Sequence, residues 1–390
     1  MRSPAQAIEH VRALVERDPS LQERLYQPDD PALFRALMLE VARDHGIVAA
    51  DAEAAIAAGQ QASVDADRDR LPPRGWLPAQ ARWRDRDLVL DWAYPGSRRL
   101  CEPFFEASML RCRSKPFNRT FRYAAPIDAL AGWLQANAGL APTGFIFHMS
   151  RCGSTLVSQM LAAMPHTVVI SEAGPIDAVV QARLTRPDLD LAQHAAWLRW
   201  IVGALGQARS GEERHLFIKL DSWHALALPL FRMAFPTVPW IFLYREPLDV
   251  LVSQLRRRGT HMVPGLIAWD AFGFEAPQCA EEPEAYCAEV LKRICDGVLR
   301  DFAPDTALLV NYQELPAALW SAILPHFGVA CGADDRAAMA DVARYDAKSP
   351  ERLFTDDTDS KRDAATDRIR AAAGRLGERY ARLEASRLSR

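Results

Sequence analysis

The sequence of 390 residues lacks apolar runs long enough to cross a bilayer. The longest, such as residues 238–244, span only a few residues, whereas a transmembrane helix needs about 20. The first residues lead into a charged amphipathic helix without the apolar centre of a secretory signal. We therefore expect a cytoplasmic protein with no membrane span.

The sequence also lacks an excess of charge of either sign. The 47 Lys and Arg residues nearly balance the 50 Asp and Glu residues, and the formal net charge is −3. This balance argues against a dedicated nucleic-acid-binding protein, because the domain that faces phosphates is usually basic. A single pocket for a small anion remains possible, since it needs only a few placed donors.

Cysteine and lysine are both scarce. The seven cysteines are odd in number, form no C-x-x-C pair and have no histidine cluster to complete a zinc site. We interpret them as buried free thiols, which suits a reducing compartment. Only five of the 47 cationic residues are lysines, so a lysine at a position with chemistry deserves notice.

The hydrophobic pattern and the composition of the sequence predict four regions. Residues 1–70 form amphipathic helices, and residues 71–142 form a small region with an antiparallel hairpin that turns at residues 95–97. Residues 143–333 form the main α/β domain, and residues 334–390 form a helical extension that ends in a long helix from about Lys361. The apolar stripes of the first helices are Ile8, Val11, Leu14 and Val15, then Leu33, Leu37 and Val41.

Short apolar runs alternate with helical segments throughout the main domain. This pattern predicts an α/β fold in which a doubly wound parallel sheet of the P-loop type is covered by helices on both faces. The predicted strands are residues 145–149, 168–171, 216–220, 240–244 and 307–311. The predicted helices are residues 155–164, 192–205, 248–258 and 283–299.

A polar loop with one glycine follows the first of these strands. It has the sequence HMSRCGSTL, residues 148–156. Such a loop presents backbone N–H groups and the positive end of a helix to an anion. The pattern GxxxxGK[ST] of ATP- and GTP-binding loops is not matched, because its first glycine and its lysine are replaced by His148 and Ser154. The loop therefore favours a donor with a short phosphate chain over an ATP or GTP hydrolase.

At this loop the chain resembles the sulfotransferase superfamily, which uses 3′-phosphoadenosine 5′-phosphosulfate (PAPS). The likeness is clearest to the protein-tyrosine and bacterial branches, whose 5′-phosphosulfate loop reads (P)RSGTTL. The main departure is a cysteine where serine is usual. The resemblance implies that the loop binds the 5′-phosphosulfate through Arg151, Cys152, Gly153, Ser154 and Thr155.

Two further stretches between residues 143 and 330 resemble the same family. The sequence IFLYREPLDVLVS, residues 241–253, matches the signature in which a strand-end Arg and a Ser eight residues later hold the 3′-phosphate. Arg245 and Ser253 take these positions. The sequence LVNYQEL, residues 309–315, is similar to a late strand end of the family and adds Tyr312 to the candidate donor site.

Two strand ends carry the candidate catalytic groups. Glu172 follows the strand 168–171, and the likeness to the tyrosine-sulfating branch nominates it as the general base. Lys219 ends an apolar strand and resembles the lysine that contacts the sulfuryl and bridging oxygens. His148 and His224 are rival bases, because another branch uses a histidine. Lys348 and Ser349 match the family's closing C-terminal segment only poorly.

The sequence therefore predicts a PAPS-dependent sulfotransferase that needs no metal and transfers a sulfuryl group in line to a hydroxyl or amine. The acceptor, whether a small molecule, a peptide or a carbohydrate, and the oligomeric state are not readable. Segments 259–276 and 74–125 are the acceptor-side candidates, although core packing is favoured for the aromatics Trp269, Phe272 and Phe274. The alternatives are an ATP-dependent P-loop phosphotransferase and an inactive nucleotide-binding module whose first 125 residues bind a protein.

Overall fold

The computed structural model describes residues 4–61, 70–274, 282–355 and 362–389. The chain divides into two compact units. Unit 1 comprises Met1–Leu140, Gly174–Ala178 and Trp200–Glu213, and unit 2 comprises Ala141–Ala173, Val179–Arg199 and Arg214–Arg390.

Unit 1 combines helices with a small antiparallel sheet. Its helices are α1 (Pro4–Arg17), α2 (Pro19–Tyr26), α3 (Pro31–Asp44), α4 (Ala49–Gln61), α5 (Phe105–Ser114), α6 (Pro116–Thr120) and α7 (Leu130–Ala136), with a 3₁₀ turn at Ile127–Ala129. Its strands are β1 (Leu77–Arg84), β2 (Asp87–Ala93) and β3 (Ala124–Pro126), in the order β1-β2-β3. Asp18 and Asp30 are the N-caps of α2 and α3, and each is followed by a proline. Their side chains accept hydrogen bonds from backbone N–H groups of the first turn, which is a common way to begin a helix.

The hairpin of unit 1 turns earlier than the sequence predicts. β1 and β2 pair antiparallel and are joined by Asp85 and Arg86, whereas the predicted turn at residues 95–97 lies beyond the end of β2. Asp85 adopts φ +51°, a left-handed conformation that aspartate tolerates better than most residues. A turn is present at Gly96 and Ser97, but the prediction that it closes the hairpin was wrong, because Asp85 closes the hairpin without a glycine or proline to mark it.

The buried stripe of α3 also differs from the predicted one. Phe34, Met38 and Val41 are buried, whereas Leu33 is 63% exposed. The helix carries apolar residues on two adjacent stripes, so periodicity alone does not choose between them. The stripe with the large phenylalanine removes more apolar surface from water and takes the buried position.

Unit 2 is built on a parallel sheet of five strands, which confirms the predicted α/β fold. The strands are β4 (Pro142–His148), β5 (Thr167–Ser171), β6 (His215–Lys219), β7 (Trp240–Tyr244) and β8 (Ala307–Asn311), in the order β5-β6-β4-β7-β8. Nearly every residue of β5 to β8 is buried, as apolar runs predict for a sheet covered on both faces. Further along the chain, β9 (Tyr345–Asp346) and β10 (Ser349–Leu353) form a hairpin.

Helices connect these strands. Those of unit 2 are α8 (Ser154–Ala163), α10 (Ala182–Thr185), α12 (Leu228–Ala234), α13 (Pro247–Arg256), α14 (Pro283–Asp301), α15 (Leu324–His326), α16 (Ala333–Val342), α17 (Asp367–Gly374) and α18 (Gly377–Leu388). The unit boundaries fall within α9 (Gly174–Val180) and α11 (Leu191–Leu205). Shorter turns are Ser222–Ala227, Thr260–Met262, Trp269–Phe272, Tyr312–Glu314 and Leu319–Ile323. Among the described residues, no helix is both long and apolar enough to span a membrane.

The order of the strands fixes where a ligand can bind. The first strand, β4, lies at the centre of the sheet, and the chain winds to one side through β5 and β6 before crossing to β7 and β8. Parallel sheets bind ligands beyond the carboxyl ends of the strands, where the winding reverses. We call this end the carboxyl edge; the residues that follow β4, β5, β6, β7 and β8 lie along it.

The C-terminal helices are anchored at the same edge. The predicted single long helix is instead the pair α17 and α18, separated at Arg375 and Leu376, and Lys361 lies outside the described residues. The Glu384 carboxylate of α18 accepts hydrogen bonds from Tyr244 Oη at 2.5 Å and from Asn311 Nδ2 at 2.7 Å. Hydrogen bonds to α18 thus hold the ends of β7 and β8.

Candidate active site

The loop after β4 has the backbone of an anion-binding nest. Ser150 and Arg151 adopt φ values of +73° and +54°, and Gly153 follows with φ +82°. Left-handed conformations turn successive N–H groups to one side of the chain, where they form an anion-binding concavity. The loop leads directly into α8, whose first turn, with Ser154 and Thr155, adds the positive end of a helix. We call residues 149–155 the anion loop.

Close packing explains two residues of the anion loop. A Cβ on Gly153 would lie 2.6 Å from Leu315 Cδ1 and 2.9 Å from Tyr312 Cδ2, so both space and φ require glycine. Cys152 is fully buried, and its thiol donates to the Leu243 carbonyl at 3.1 Å. Burial raises the pKa of Cys152 to about 12, so it remains a thiol. Its side chain packs in the interior, which leaves the backbone of the loop to bind a ligand.

The two predicted phosphate-binding stretches meet at the carboxyl edge. Arg151 Nε donates to Ser253 Oγ at 2.7 Å, although the two residues are 102 positions apart. Ser253 lies on α13, the helix that follows β7 and Arg245. The structure therefore brings Arg151, Ser253 and Arg245 to neighbouring positions of one sheet edge.

Arg245 is held in place by two partners. Its Nε and Nη2 both donate to Asp249 Oδ2, at 3.1 and 2.9 Å, and both side chains are about 5% exposed. The guanidinium lies 4.1 Å from the centre of the Tyr312 ring, a cation–π geometry. Sequence reasoning missed Asp249, because Arg245 precedes α13 and the pairing of the two residues depends on how the chain turns between β7 and that helix.

The two candidate catalytic groups form an ion pair in which the lysine is buried and the carboxylate is half-buried. The Lys219 ammonium, with no exposed surface, donates to Glu172 Oε1. Glu172 adopts φ +54°, and its backbone N–H donates to the Lys219 carbonyl at 2.8 Å. A non-glycine residue in this conformation stores strain, which in folded proteins is concentrated at functional sites.

The charge of Lys219 controls the acidity of Glu172. Burial would raise the pKa of Glu172, but the ammonium of Lys219 and the nearby His148 ring outweigh this effect and hold the pKa well below its usual value. The carboxylate is therefore ionised at neutral pH, and it is a weak base for as long as Lys219 remains beside it.

The rival histidines lie in different surroundings. Nδ1 of His148 accepts the Ser150 N–H at 3.0 Å, so the proton of the neutral ring is on Nε2, which lies 3.5 Å from Glu172 Oε1. Burial lowers the pKa of His148, which keeps the ring neutral. The neutral His148 ring therefore places its Nε2 N–H near the Glu172 carboxylate. His224 is buried with Nε2 3.9 Å from Asp221 Oδ2.

Lys348 reaches the site from the hairpin of β9 and β10. Its backbone N–H and that of Ser349 donate to Asp346 Oδ1, at 2.9 and 3.0 Å, which fixes the turn. The residue as a whole is exposed, but its ammonium lies among protein groups. Loss of solvent around the ammonium, with the positive charges of Arg151 and Lys219, lowers its pKa to about 8. The ammonium of Lys348 therefore lies within electrostatic range of Arg151 and Lys219.

The aromatics considered as pocket lining are engaged in packing. Trp269 and Phe274 lie against the Tyr286 ring, with centroids 5.7 and 6.0 Å away, and Phe272 is 2% exposed. Residues 275 and 276 of the acceptor-side segment lie outside the described residues.

Comparison with known proteins gives a consistent but distant picture. No family model matches the chain, and no curated protein matches it either. Several solved structures that it resembles are sulfotransferases. They include a domain of the olefin synthase of Synechococcus PCC 7002 (17% identity, TM-score 0.38, 61% of this chain and 95% of that chain). A domain from the curacin biosynthetic pathway is similar at 16% identity (TM-score 0.41, 61% and 98%).

A third similar structure is sulfotransferase STF9 from Mycobacterium avium, at 12% identity with a TM-score of 0.38, over 64% of this chain and 80% of that chain. All three are sulfotransferases or domains of that kind, the superfamily that the sequence motifs resemble. Likenesses this distant have no bearing on activity, so the functional proposal must rest on the residues of this chain.

Proposed function

We propose that the protein is a sulfotransferase that moves a sulfuryl group from PAPS to a hydroxyl or amine acceptor. The observation that carries the proposal is the hydrogen bond from Arg151 to Ser253, which joins the anion loop to the helix after Arg245. A donor with phosphates on both sides of its ribose needs two anion sites within reach of one molecule. This contact supports two such sites side by side at the carboxyl edge.

The anion loop would bind the 5′-phosphosulfate of the donor. The N–H groups that follow Ser150 in its left-handed backbone would donate to the anion, and Arg151 adds a full positive charge. Arg245, oriented by Asp249 and Tyr312, would bind the 3′-phosphate together with Ser253. Charge-assisted hydrogen bonds of this kind are about twice as strong as neutral ones.

The buried pair would perform the transfer. PAPS supplies a sulfuryl group on a phosphate that leaves in line with the entering acceptor. Lys219 stabilises the charge that develops on the oxygens of the transferring and leaving groups. As its charge is drawn to these oxygens, its hold on Glu172 weakens and the pKa of the carboxylate rises. Glu172 then takes the proton of the acceptor while the bond from sulfur to the acceptor forms and the bond from sulfur to the leaving oxygen breaks.

The test begins with calorimetry of the product, 3′-phosphoadenosine 5′-phosphate (PAP). We expect binding well below millimolar Kd for the wild type. Arg245→Ala should weaken it roughly 10- to 100-fold, as expected for a lost charge-assisted bond. Arg300→Ala is the matched control, because Arg300 is a 61% exposed arginine of unit 2 that pairs with Asp301 away from this edge. Its PAP affinity should equal that of the wild type.

Three outcomes separate the alternatives. Millimolar binding of PAP, unchanged by Arg245→Ala, would end the proposal. Tighter binding of ATP with Mg²⁺ than of PAP would favour the phosphotransferase. Tight PAP binding with no transfer of label from [³⁵S]PAPS to any hydroxyl, amine, peptide or sugar acceptor would favour the inactive module; in the proposed enzyme Glu172→Gln abolishes that transfer without changing PAP affinity.

Several statements stay predictions from the sequence. They are the division into regions 1–70, 71–142, 143–333 and 334–390, the cytoplasmic location, the absence of a metal requirement, and acceptors that are small molecules, peptides or carbohydrates rather than nucleic acids. Each depends on features that the geometry of the site does not address.

A further inference from the structure

A buried histidine that the proposed chemistry leaves unused lies beside the site. His261 belongs to the 3₁₀ turn Thr260–Met262 after α13 and is 5% exposed. Its Nε2 has no hydrogen-bond partner among the described residues. A buried polar atom without a partner costs free energy, and its presence in a folded protein calls for an explanation such as a ligand.

The imidazole lies within electrostatic range of the candidate catalytic groups. Burial is the main influence on its titration, and the charged or titratable groups that act on it next are His148, Glu172, Lys348 and Arg151. All four belong to the candidate site, and they come from different segments of unit 2. Together these influences lower the pKa of His261 to about 3, so the ring is neutral at physiological pH.

The turn is built around this ring. Gly259 has an ordinary φ of −72°, but a Cβ there would lie 2.8 Å from His261 Cε1, so the imidazole itself requires the glycine. The Gly259 N–H donates to Gln254 Oε1 at 3.0 Å, and Gln254 Nε2 donates to Ser150 Oγ at 2.8 Å. The position of His261 is thereby tied to the anion loop.

An apolar wall stands next to the imidazole. The Trp223 ring is only partly buried, and its centroid lies 5.5 Å from that of His261 at an interplanar angle of 43°. A flat apolar surface beside a single neutral hydrogen-bonding atom is the usual composition of a pocket for an apolar molecule with one polar group.

We propose that His261 binds the acceptor: its Nε2 makes a hydrogen bond with an uncharged hydroxyl group carried on an apolar frame that packs against Trp223. This inference rests on the proposed sulfotransferase function and names the acceptor class. A hydroxyl both donates and accepts, so it satisfies Nε2 in either tautomer of the neutral ring. A carboxylate would satisfy only one tautomer and would meet no positive charge on His261.

The experiment compares two probes that differ in one hydrogen bond. 2-Naphthol carries a free hydroxyl, and in 2-methoxynaphthalene a methyl group blocks it. Each is titrated calorimetrically into the free protein and into its PAP complex. We expect the wild type to prefer 2-naphthol roughly 3- to 10-fold, the effect of one neutral hydrogen bond. His261→Leu should abolish this preference, and His261→Gln, which retains a polar end, should keep part of it.

Two further variants separate binding from folding. Gly259→Ala keeps the histidine but displaces its ring, so it should reduce the preference for 2-naphthol. In the control His194→Leu, a buried histidine whose Nε2 lies 2.7 Å from the Val179 carbonyl is removed, so stability should fall while the preference remains. Thermal unfolding checks that His261→Leu, which loses packing against Trp223 but no Nε2 hydrogen bond to a described residue, is still folded at the temperature of the titration.

The inference is overturned if the wild type binds the two probes equally or if the preference survives in His261→Leu. PAP affinity should be unchanged in every His261 variant. If the wild type fails to bind PAP, the proposed function fails, but the probe pair titrated into the free protein still decides whether His261 recognises a hydroxyl.

Discussion

The two units use charged side chains in different ways. The ion pairs of unit 1 include Arg24 with Glu40, whose side chains are 45% and 53% exposed. In unit 2 Lys219 is completely buried against Glu172, and both partners of the Arg245–Asp249 pair are about 5% exposed. Exposed pairs contribute about 0–1 kcal/mol, whereas burying a pair costs desolvation that the attraction often fails to offset. Fold stability alone therefore explains an exposed pair such as Arg24–Glu40, but it does not explain these two pairs of unit 2.

Backbone strain shows the same contrast. Asp85 in unit 1 has a positive φ because a hairpin turn requires it, whereas Ser150, Arg151 and Glu172 in unit 2 lie beyond strand ends where an ordinary loop needs no such conformation. Strain and buried charge thus coincide at the carboxyl edge. This coincidence indicates that the edge is shaped for binding and chemistry at a cost in stability.

The largest effect is expected from breaking the buried pair. Lys219→Met leaves the half-buried Glu172 carboxylate without its counter-charge and should lower the free energy of unfolding by about 3 kcal/mol, the lower end for a broken buried pair. Sulfuryl transfer should fall roughly 10²- to 10³-fold, since the variant also loses a preorganised positive charge. Urea denaturation followed by circular dichroism measures the first quantity, and [³⁵S]PAPS turnover measures the second.

The control for this variant is Arg24→Met in unit 1, which should cost no more than about 1 kcal/mol. The double variant Lys219→Met, Glu172→Gln should recover part of the lost stability but none of the activity, because it removes the uncompensated charge. Equal losses of stability in Lys219→Met and Arg24→Met would contradict the contrast between the units.

A smaller effect is expected from glycines with left-handed backbone in each unit. Gly153→Ala should destabilise the protein by about 2–3 kcal/mol and weaken PAP binding, because the new Cβ meets Leu315 and Tyr312 as well as an unfavourable φ. Gly46 in unit 1 has φ +67°, and no atom lies within 4 Å of the position that a Cβ would take, so Gly46→Ala should cost only about 1 kcal/mol. Thermal unfolding and PAP calorimetry give both numbers.

Two results would contradict the prediction for these glycines. If both alanine variants bind PAP like the wild type, the left-handed anion loop does not take part in donor binding. A loss of affinity in Gly46→Ala as well would mean that stability, rather than the loop, governs binding.

The strands of unit 2 could be predicted because their signal is local. An apolar run bounded by polar residues suffices, and the predicted bounds of β7 and β8 agree with the structure at both ends. The candidate residues Glu172, Lys219 and Arg245 follow from the same signal, since they stand where such runs end. Parallel topology then brings strand ends together without any need to predict a side-chain contact.

The residues that were missed or undervalued depend on contacts distant in sequence. Lys348 lies in a hairpin whose strands are two and five residues long, too short for an alternating pattern to show. His261 lies in a three-residue turn within a segment that has no periodicity. Such positions are fixed by tertiary contacts, for example the hydrogen bond from Gln254 to Ser150. Local sequence propensity does not indicate contacts of this kind.

The smallest expected effect concerns the charged neighbours of one lysine in each unit. Lys115 of unit 1 lies 2.8 Å from the Asp29 carboxylate, whereas Lys348 of unit 2 lies within the influence of Arg151, Lys219 and Arg257.

The pKa of Lys348, about 8, predicts a pH dependence of donor binding. Below pH 8 the ammonium is charged and attracts the phosphates of PAP; as the pH rises through 8 it loses its proton, so PAP affinity should fall roughly 3- to 10-fold between pH 7 and pH 9. Lys348→Arg should remain charged and bind with nearly constant affinity over this range. Lys348→Met should show the weaker affinity at every pH. A wild-type affinity that is flat from pH 7 to pH 9, or an identical decline in Lys348→Met, would place the lysine outside the donor site. If the proton on Lys348 causes the decline, neither variant can show it, because arginine keeps its charge over this range and methionine has none.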